Sequence, residues 1–406
     1  MLHTEDPIDT YKYKITLIYL DKKKGKNIPI KTERISSVAI DFDYSRNTMP
    51  VALASVALDR RFRDNLIKDM DENTFSMRIQ KRCETGDKIW VDYIKTLEFK
   101  YFIDVEYNKH HDYKFQESER DDEFVETGIV MLPVNPLRNN KKIKNTNIFD
   151  TDMSTIIANF TFPLGKMLMQ PIQYNKKISQ IILPKTLTTI KQSLEFFNSQ
   201  VSAFYDTMYR FFIDYDKSYL IDSSGKAVVE KTETLTQVYI DVLELKDLHP
   251  TYEYGMATEY RKNRYYIPTG IQAVSGSDPA YNVTSQNYTK IVGVDADGNR
   301  VDYDMDITGK GNKTATKVIN VENNNLKYVQ NLASMYKSSV TTVHFSKNDL
   351  DSSVLTMNKE YRIKFRGENA PKTGRYILNR KREYYVQDDG RFRMSTTMSL
   401  NKVDLV

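Results

Sequence analysis

One cysteine and one tryptophan occur in 406 residues. Cys83 alone cannot build an internal disulfide framework or a cysteine-based zinc site. Glycine (15) and proline (12) are sparse, which excludes fibrous and low-complexity classes. No apolar run approaches the ~20 residues of a membrane-crossing helix, so no membrane span is expected. The opening residues, Met1-Leu2-His3-Thr4-Glu5-Asp6, show neither a basic nor an apolar leader region. Synthesis in a cytosol is therefore expected, and a sequon such as Asn282-Val283-Thr284 reads as incidental. A dominant charge is missing too. The 59 Lys+Arg stand against 54 Asp+Glu, a net +5, which by itself argues for neither nucleic acid nor membrane binding.

Aromatic residues make up 12%, with 28 Tyr and 18 Phe, within a hydrophobic content of 40%. That is enough apolar material for packed cores, and the length suggests roughly two to four domains. The patterning is mostly β. Tyr13, Ile15, Leu17 and Tyr19 alternate with Lys14, Thr16 and Ile18; a basic turn at Lys22-Lys23-Lys24-Gly25-Lys26 follows, and Ile28, Ile30, Ile35, Val38, Ile40 and Phe42 continue the strands. Pro50 opens an Ala/Leu-rich stretch to about Met70 that predicts a helix. Strands are expected over 75–79, 88–93, 95–107 and 128–134, with a charged loop over 108–127.

Further along, Leu183-Pro184 leads into a predicted helix with Leu187, Ile190, Leu194, Phe197, Val201 and Phe204 on one face. Met208 to Asp216 and Tyr219 to Asp222 read as strands around a tight turn, followed by a strand at 238–243. The segment 250–324 is polar; within it, 289–303 forms a hairpin signal around Asp297-Gly298. A short helix at 326–337 precedes strands at 340–345, 361–365, 376–378 and 383–386. After the turn Asp388-Asp389-Gly390, Phe392, Met394, Thr396, Met398 and Leu400 face one way and Arg393, Ser395, Thr397 and Ser399 the other. One greasy and one polar face is what a barrel or sandwich wall requires.

Catalytic signatures are scarce. The histidines His3, His110, His111, His249 and His344 show no metal-ligand spacing, and no Gly-x-Ser-x-Gly elbow occurs. Gly309-Lys310-Gly311-Asn312-Lys313-Thr314 departs from the order of a phosphate loop. Asp295, Asp297, Asn299 and Asp306 follow a calcium-loop register, but Arg300 replaces its required glycine. Paired carboxylates occur at Asp41/Asp43, Asp121/Asp122/Glu123, Asp214/Asp216 and Asp388/Asp389. A glycosidase needs two of them ~5–10 Å apart, and Asp214 and Asp216 flank Tyr215; satisfied strand ends are the plainer reading. The basic runs at 22–26 and 138–144 read as solvated turns, with partner docking as the alternative. Basic and aromatic residues interleave at 260–266 and 375–385, which suits an intersubunit surface or a stacking platform for single-stranded nucleic acid. No catalytic, cofactor-binding or metal-ligating residue is assigned, and neither a cofactor nor an enzymatic activity is expected.

Two stretches resemble the baseplate (tail) hub proteins of tailed bacteriophages. One is the Leu183-Pro184 helix with Leu194, Phe196 and Phe197, followed by Phe211-Phe212-Ile213-Asp214-Tyr215-Asp216-Lys217-Ser218-Tyr219-Leu220-Ile221. The other is the C-terminal set: a helix at 326–337, a Thr/Val strand, the turn Asn348-Asp349-Leu350, the strand Tyr361-Arg362-Ile363-Lys364, then Gly374-Arg375-Tyr376 and the terminal alternating strand. Together they cover about a third of the chain; 250–324 matches no known pattern.

The resemblance implies a mainly β protein with some α and four parts: a first tail-tube-like β-barrel (1–165), a helix-plus-strand middle domain (166–249), a polar insertion (250–324) and a second tube-like barrel (325–406). It implies a homotrimer forming a pseudo-hexameric ring that joins the tail tube, or a distal tail protein, to the central spike. Contacts with a tape-measure protein and other baseplate components are implied as well. Viral DNA would pass without specific contacts, with Arg393, Ser395, Thr397 and Ser399 lining the lumen. The place implied is the virion's tail baseplate, after assembly in the host cytoplasm. The alternatives are a hexameric distal-tail or tube-initiator protein and, in another class, a carbohydrate-binding or carbohydrate-cleaving tail protein acting through the Asp214 neighbourhood.

Overall fold

The computed structural model describes residues 11–44, 48–83, 88–103, 124–137, 355–357, 359–364, 370 and 373–402. Between 138 and 354 it describes shorter pieces: 147–152, 155, 166–169, 177–182, 189–193, 209–215, 217–222, 237–242, 259–261, 264–269, 283–286, 290–294, 300–301, 316–320 and 340–345. Strands dominate, so the chain is mainly β with some α.

The first part of the chain contributes β1 (Tyr11–Asp21), β2 (Lys26–Ile30), β3 (Ile35–Asp43), β4 (Val51–Asp59), the helix α1 (Arg60–Lys68), β5 (Thr74–Cys83), β6 (Val91–Ile103) and β7 (Phe124–Pro133). On β1 the predicted inward residues Tyr13, Ile15, Leu17 and Tyr19 are all buried. The basic turn after β1 is closed by Asp21 Oδ1, which accepts from the Lys24 N–H at 3.0 Å. Gly25 there takes a φ of 60°, a left-handed conformation that a side chain would strain.

The predicted helix over 51–70 is only half a helix. Val51–Asp59 is a strand, and α1 starts at Arg60, where the Asp59 side chain accepts from the Phe62 N–H at 3.1 Å. Alanine and leucine suggest helix by propensity, but Ala52, Ala54, Val56 and Leu58 are buried at every second place. That period fits a strand paired on both sides, and the ladders with β3 and β7 override propensity.

The middle pieces are β8 (Asn147–Asp152), β9 (Lys166–Met169), β10 (Lys177–Ile182), β11 (Tyr209–Ile213), β12 (Lys217–Asp222), β13 (Gln237–Val242), β14 (Glu259–Arg261), β15 (Arg264–Thr269), β16 (Val283–Gln286), β17 (Lys290–Val294), β18 (Arg300–Val301) and β19 (Thr316–Asn320). The last part adds β20 (Val340–Phe345), β21 (Glu360–Lys364), β22 (Gly374–Asp388) and β23 (Arg391–Lys402). Of the predicted helix at 183–204, residues 189–193 are described. There Thr189 Oγ1 accepts from the Gln192 N–H and Gln192 Oε1 accepts from the Thr189 N–H, both at 3.1 Å, a reciprocal capping box. The predicted helix at 326–337 lies outside the described residues.

Eight strands close a ring in the order β22-β3-β4-β7-β6-β5-β1-β23, shut by the β22–β23 pairing. Six staves come from the first part of the chain and two from the last. The expectation of one barrel per segment differs in this respect: the final hairpin completes the first ring. Alternation identified β23 as a wall strand, but alternation says nothing about partners, and Tyr13 meets Phe392 only through the fold.

The same hairpin anchors a second row of eight, β14-β15-β13-β21-β22-β23-β20-β16. The switch occurs at a bulge between Leu378 and Arg380. Residues before it pair with β21 and residues after it pair with β3. The extra residue is used: the Asn379 carbonyl accepts the Tyr44 N–H at 3.1 Å. A bulge that re-aims one strand between two sheets is a recurrent device.

The ring interior is filled by side chains. Tyr13, Tyr101, Tyr385, Phe42, Phe75 and Phe99 are fully buried and pack edge-on, as in Phe75–Tyr101 at 5.0 Å and Tyr13–Tyr385 at 5.3 Å. Each such residue contributes about 1.5–3 kcal/mol by burial. An eight-stranded barrel is just wide enough to be packed solid.

Candidate functional site

The acidic-aromatic turn singled out in the sequence sits at the mouth of the ring. The strands β11 and β12 pair antiparallel, with Ile213 opposite Ser218, and β9 extends them in parallel. Phe211, Phe212, Ile213 and Tyr219 are buried. The Ile213 N–H donates to the Thr48 carbonyl at 2.7 Å, which ties β11 to the segment between β3 and β4. Phe212 meets Tyr44 edge-on at 4.6 Å.

The turn places Tyr215 against Phe42 and Phe99, with ring centres 5.8 and 6.1 Å away. Asp214 Oδ1 accepts from the Tyr215 N–H at 2.7 Å, a local turn bond. Asp216, the other half of the Asp214/Asp216 pair that a sugar-cleaving site would use, lies outside the described residues.

Behind the turn the ring buries charge. Lys381 and Glu383, 2% and 0% exposed, are 2.9 Å apart. Glu383 also accepts from the Tyr93 hydroxyl and, at 2.8 Å, from the Tyr385 hydroxyl. The Lys381 ammonium stands 4.4 Å over the Phe42 ring. Burial pushes the Tyr385 hydroxyl well above the ordinary tyrosine range, and the Glu383 charge adds to this. Burial does the same for Tyr215, reinforced by Asp214 and Glu383. A buried pair satisfied on both sides is the arrangement that desolvation tolerates.

This cluster was not singled out in the sequence. Its signal was parity: with Tyr385 facing inward, Glu383 and Lys381 of the same strand face inward too. The charged run Arg380-Lys381-Arg382-Glu383 disguised the alternation.

The other sequence candidates are scattered. The lysines of the basic turn fold back onto acids: Lys22 on Glu98 at 2.5 Å, Lys23 on Asp69 at 2.7 Å and Glu72 at 3.1 Å, Lys24 on Asp21 at 3.6 Å. That fits a solvated, self-neutralised turn. Asp41 forms a two-pronged pair with Arg380, Asp43 is buried, and Asp388 pairs with Arg393 at 2.5 Å. Cys83 is half-buried at the end of β5, and His344 lies on β20 opposite Thr397. Within the stretch 260–266, residues 260–261 lie on β14 and 264–266 on β15, which pair antiparallel, and 375–385 is part of β22. On β23, Arg393 is exposed and Ser395, Thr397 and Ser399 are half-buried, on the face opposite the buried Phe392, Met394, Thr396, Met398 and Leu400.

His3, His110, His111, His249, Asp121/Asp122/Glu123, the run 138–144, the glycine-lysine stretch 309–314 and the calcium-like loop residues Asp295, Asp297, Asn299 and Asp306 lie outside the described residues. Among the described residues no cluster of His, Cys, Asp and Glu is arranged to hold a metal ion. Among them no helix is long and apolar enough to cross a membrane.

No family model and no curated protein matches the chain. Solved structures that align with the chain include phage tail and type VI secretion proteins. The tail protein from Neisseria meningitidis MC58 aligns over 96% of this chain and 96% of its own, with 8% identity and a TM-score of 0.48. The 43 kDa tail protein of prophage MuSo2 from Shewanella oneidensis aligns over 98% and 99%, with 8% identity and a TM-score of 0.48. A type VI secretion system component of E. coli, described as structurally similar to T4 bacteriophage tail proteins gp27 and gp5, aligns over 96% and 76%, with 7% identity and a TM-score of 0.41.

Proposed function

We propose that the chain is a structural virion protein, the hub of a phage tail baseplate, working as a homotrimer that joins the tail tube to the central spike. The observation that carries this reading is the β22–β23 hairpin shared by a closed eight-strand ring and a second row of eight. Two β units fixed side by side in one chain give six units in a trimer, which matches a hexameric tube on one side and a threefold spike on the other. The four-part division at 165, 249 and 324 belongs to this reading, with β13–β16 completing the second unit from outside 325–406.

The packed ring interior excludes passage through a single barrel, so the DNA channel lies between protomers. The outward face of β23, with Arg393, Ser395, Thr397 and Ser399, supplies its lining. A net charge of +5 suits a conduit, because dense Lys and Arg would hold phosphates. The remaining partners are a tube or distal-tail protein, the spike, a tape-measure protein and other baseplate components. The place of action is the virion, after assembly in the host cytoplasm, and no catalysis is involved.

Light scattering on the purified chain tests the stoichiometry. The expected mass is three times 47.4 kDa, with more than ~2,000 Å² buried per interface in the trimer's structure. A hexamer would move the chain to a distal-tail or tube-initiator role. A monomer that stays monomeric with tube and spike proteins present would overturn the hub reading.

A further inference from the structure

Exposed apolar residues are ordinary where they stand singly. Here their placement is uneven. Five of the seven large ones among the described residues, Ile67, Ile89, Val91, Phe102 and Phe124, lie on α1, on β7 and at the two ends of β6. They are 40% to 66% exposed. The other two, Tyr384 and Val386, are on β22. The described residues of β1, β3, β4, β5 and β23 carry none.

The order of staves gives this placement a meaning. In β22-β3-β4-β7-β6-β5-β1-β23, two staves separate β22 from β7 and two separate β23 from β6. The β7–β6 pair therefore stands across the ring from the hairpin that carries the second row of strands. The helix α1 lies on this same side. It packs against β4, β6 and β7, and its Leu66 carbonyl accepts from the Tyr101 hydroxyl of β6 at 2.8 Å.

The outer surface there is built like an interface. Phe102 stands opposite Val130, and Val130 opposite Leu53. Alternation turns all three away from the buried Tyr101, Ile129, Met131, Ala52 and Ala54, so one apolar row crosses three neighbouring staves. Charged groups frame it. The Lys100 ammonium lies 5.5 Å from the Phe102 ring and 3.6 Å from Asp71, and the Arg34 guanidinium covers the Phe124 ring at 4.1 Å. An apolar centre within a polar rim is the pattern of protein–protein contact. With the 13 residues of β6, three staves give a face of roughly 40 by 15 Å. That approaches the ~800 Å² that one partner contributes to a standard interface, and α1 widens it.

We propose that this β6–β7 wall, with α1, is where the next copy of the chain docks, through the strands beyond that copy's own shared hairpin. The proposal rests on the hub reading and names the surface that closes its ring. A ring of identical chains needs two different faces on each chain. On the hairpin side, the first unit is joined to its own second unit. The neighbour's second unit meets it from the opposite wall, where the exposed aromatic residues stand. Tube and spike stack above and below such a ring, which leaves its flanks to copies of the chain.

Light scattering on Phe102→Glu and Phe124→Glu tests the surface, with Lys14→Glu on the β1 wall as the control. All three positions are exposed, so near-ultraviolet circular dichroism should stay native. At a concentration where the unaltered chain is a trimer, both phenylalanine variants are expected to fall to one third of its mass and the control to keep it. Trimers in both variants would overturn this surface and leave the hub reading standing. An unaltered chain that stays monomeric with tube and spike proteins present would overturn both. If it assembles only with those proteins, the variants are expected to stay out of the complex, and equal incorporation would overturn the surface. Should the glutamates disturb folding, thiol labelling of Phe102→Cys and Lys14→Cys, mapped by mass spectrometry, decides the matter. Assembly is expected to slow labelling at 102 at least tenfold and to leave 14 unchanged; equal labelling at both would overturn the surface.

Discussion

Glu383 shows how a single carboxylate can hold a barrel interior together. It takes bonds from Tyr93, Tyr385 and Lys381, and Lys381 is 2% exposed. Glu383→Ala removes the carboxylate 2.9 Å from that buried ammonium, so urea denaturation should show a loss of about 3–5 kcal/mol. Replacing both partners, Lys381→Met with Glu383→Leu, removes the charge problem and should recover most of that loss. A second expectation concerns alkali. Tyr44, Tyr215, Tyr361 and Tyr385 all have hydroxyls pushed upward, chiefly by burial. Their folded values lie above the unfolded value of about 10, so their contribution is complete below that pH and falls as pH rises beyond it. Absorbance at 295 nm should show these four ionising only together with unfolding; four independent reversible ionisations would contradict the burial.

At the element scale, the β22–β23 turn is the sharpest test. Asp389 and Gly390 have φ of 47° and 73°, the two positive values of a two-residue hairpin turn, and Asp388 pairs with Arg391 across it. Gly390→Val should cost about 1–2 kcal/mol, read as a lower midpoint in urea, whereas Asp389→Asn should be near neutral. This turn was legible from Asp-Asp-Gly, as were β1, β7, β11, β12 and β23, because their alternation or turn residues act over short distances. The strand Val51–Asp59 was not, because its Ala and Leu content favours helix until β3 and β7 flank it. The candidate site was half legible: Tyr215 and Asp214 stood out as an aromatic-acid turn. Lys381 and Glu383 did not, because only the closed ring turns their side of β22 into an interior.

For the whole molecule, the shared hairpin decides what can be removed. The hydrogen bond between Tyr93 and Glu383 spans 290 residues, and the Arg380–Asp41 pair spans 339. A chain ending before Gly374 loses two staves of the ring and leaves β3 as an open edge. Such a truncation should show no native near-ultraviolet circular dichroism and should aggregate. A chain cut into folds at 165 should fail in the same way, since the first part alone supplies six of eight staves.

The same hairpin also sets a clock. During translation the first six staves emerge long before β22 and β23, so the nascent sheet waits with its β3 rim bare while the intervening residues 134–373 are made. Contacts between such distant residues form slowly, because the intervening chain must first be brought round. Closing the wall is therefore tied to the synthesis of β22 and β23. Polypeptides stopped before that hairpin keep sticky rims that chaperones recognise, so only chains that carry β22 and β23 can shut the wall.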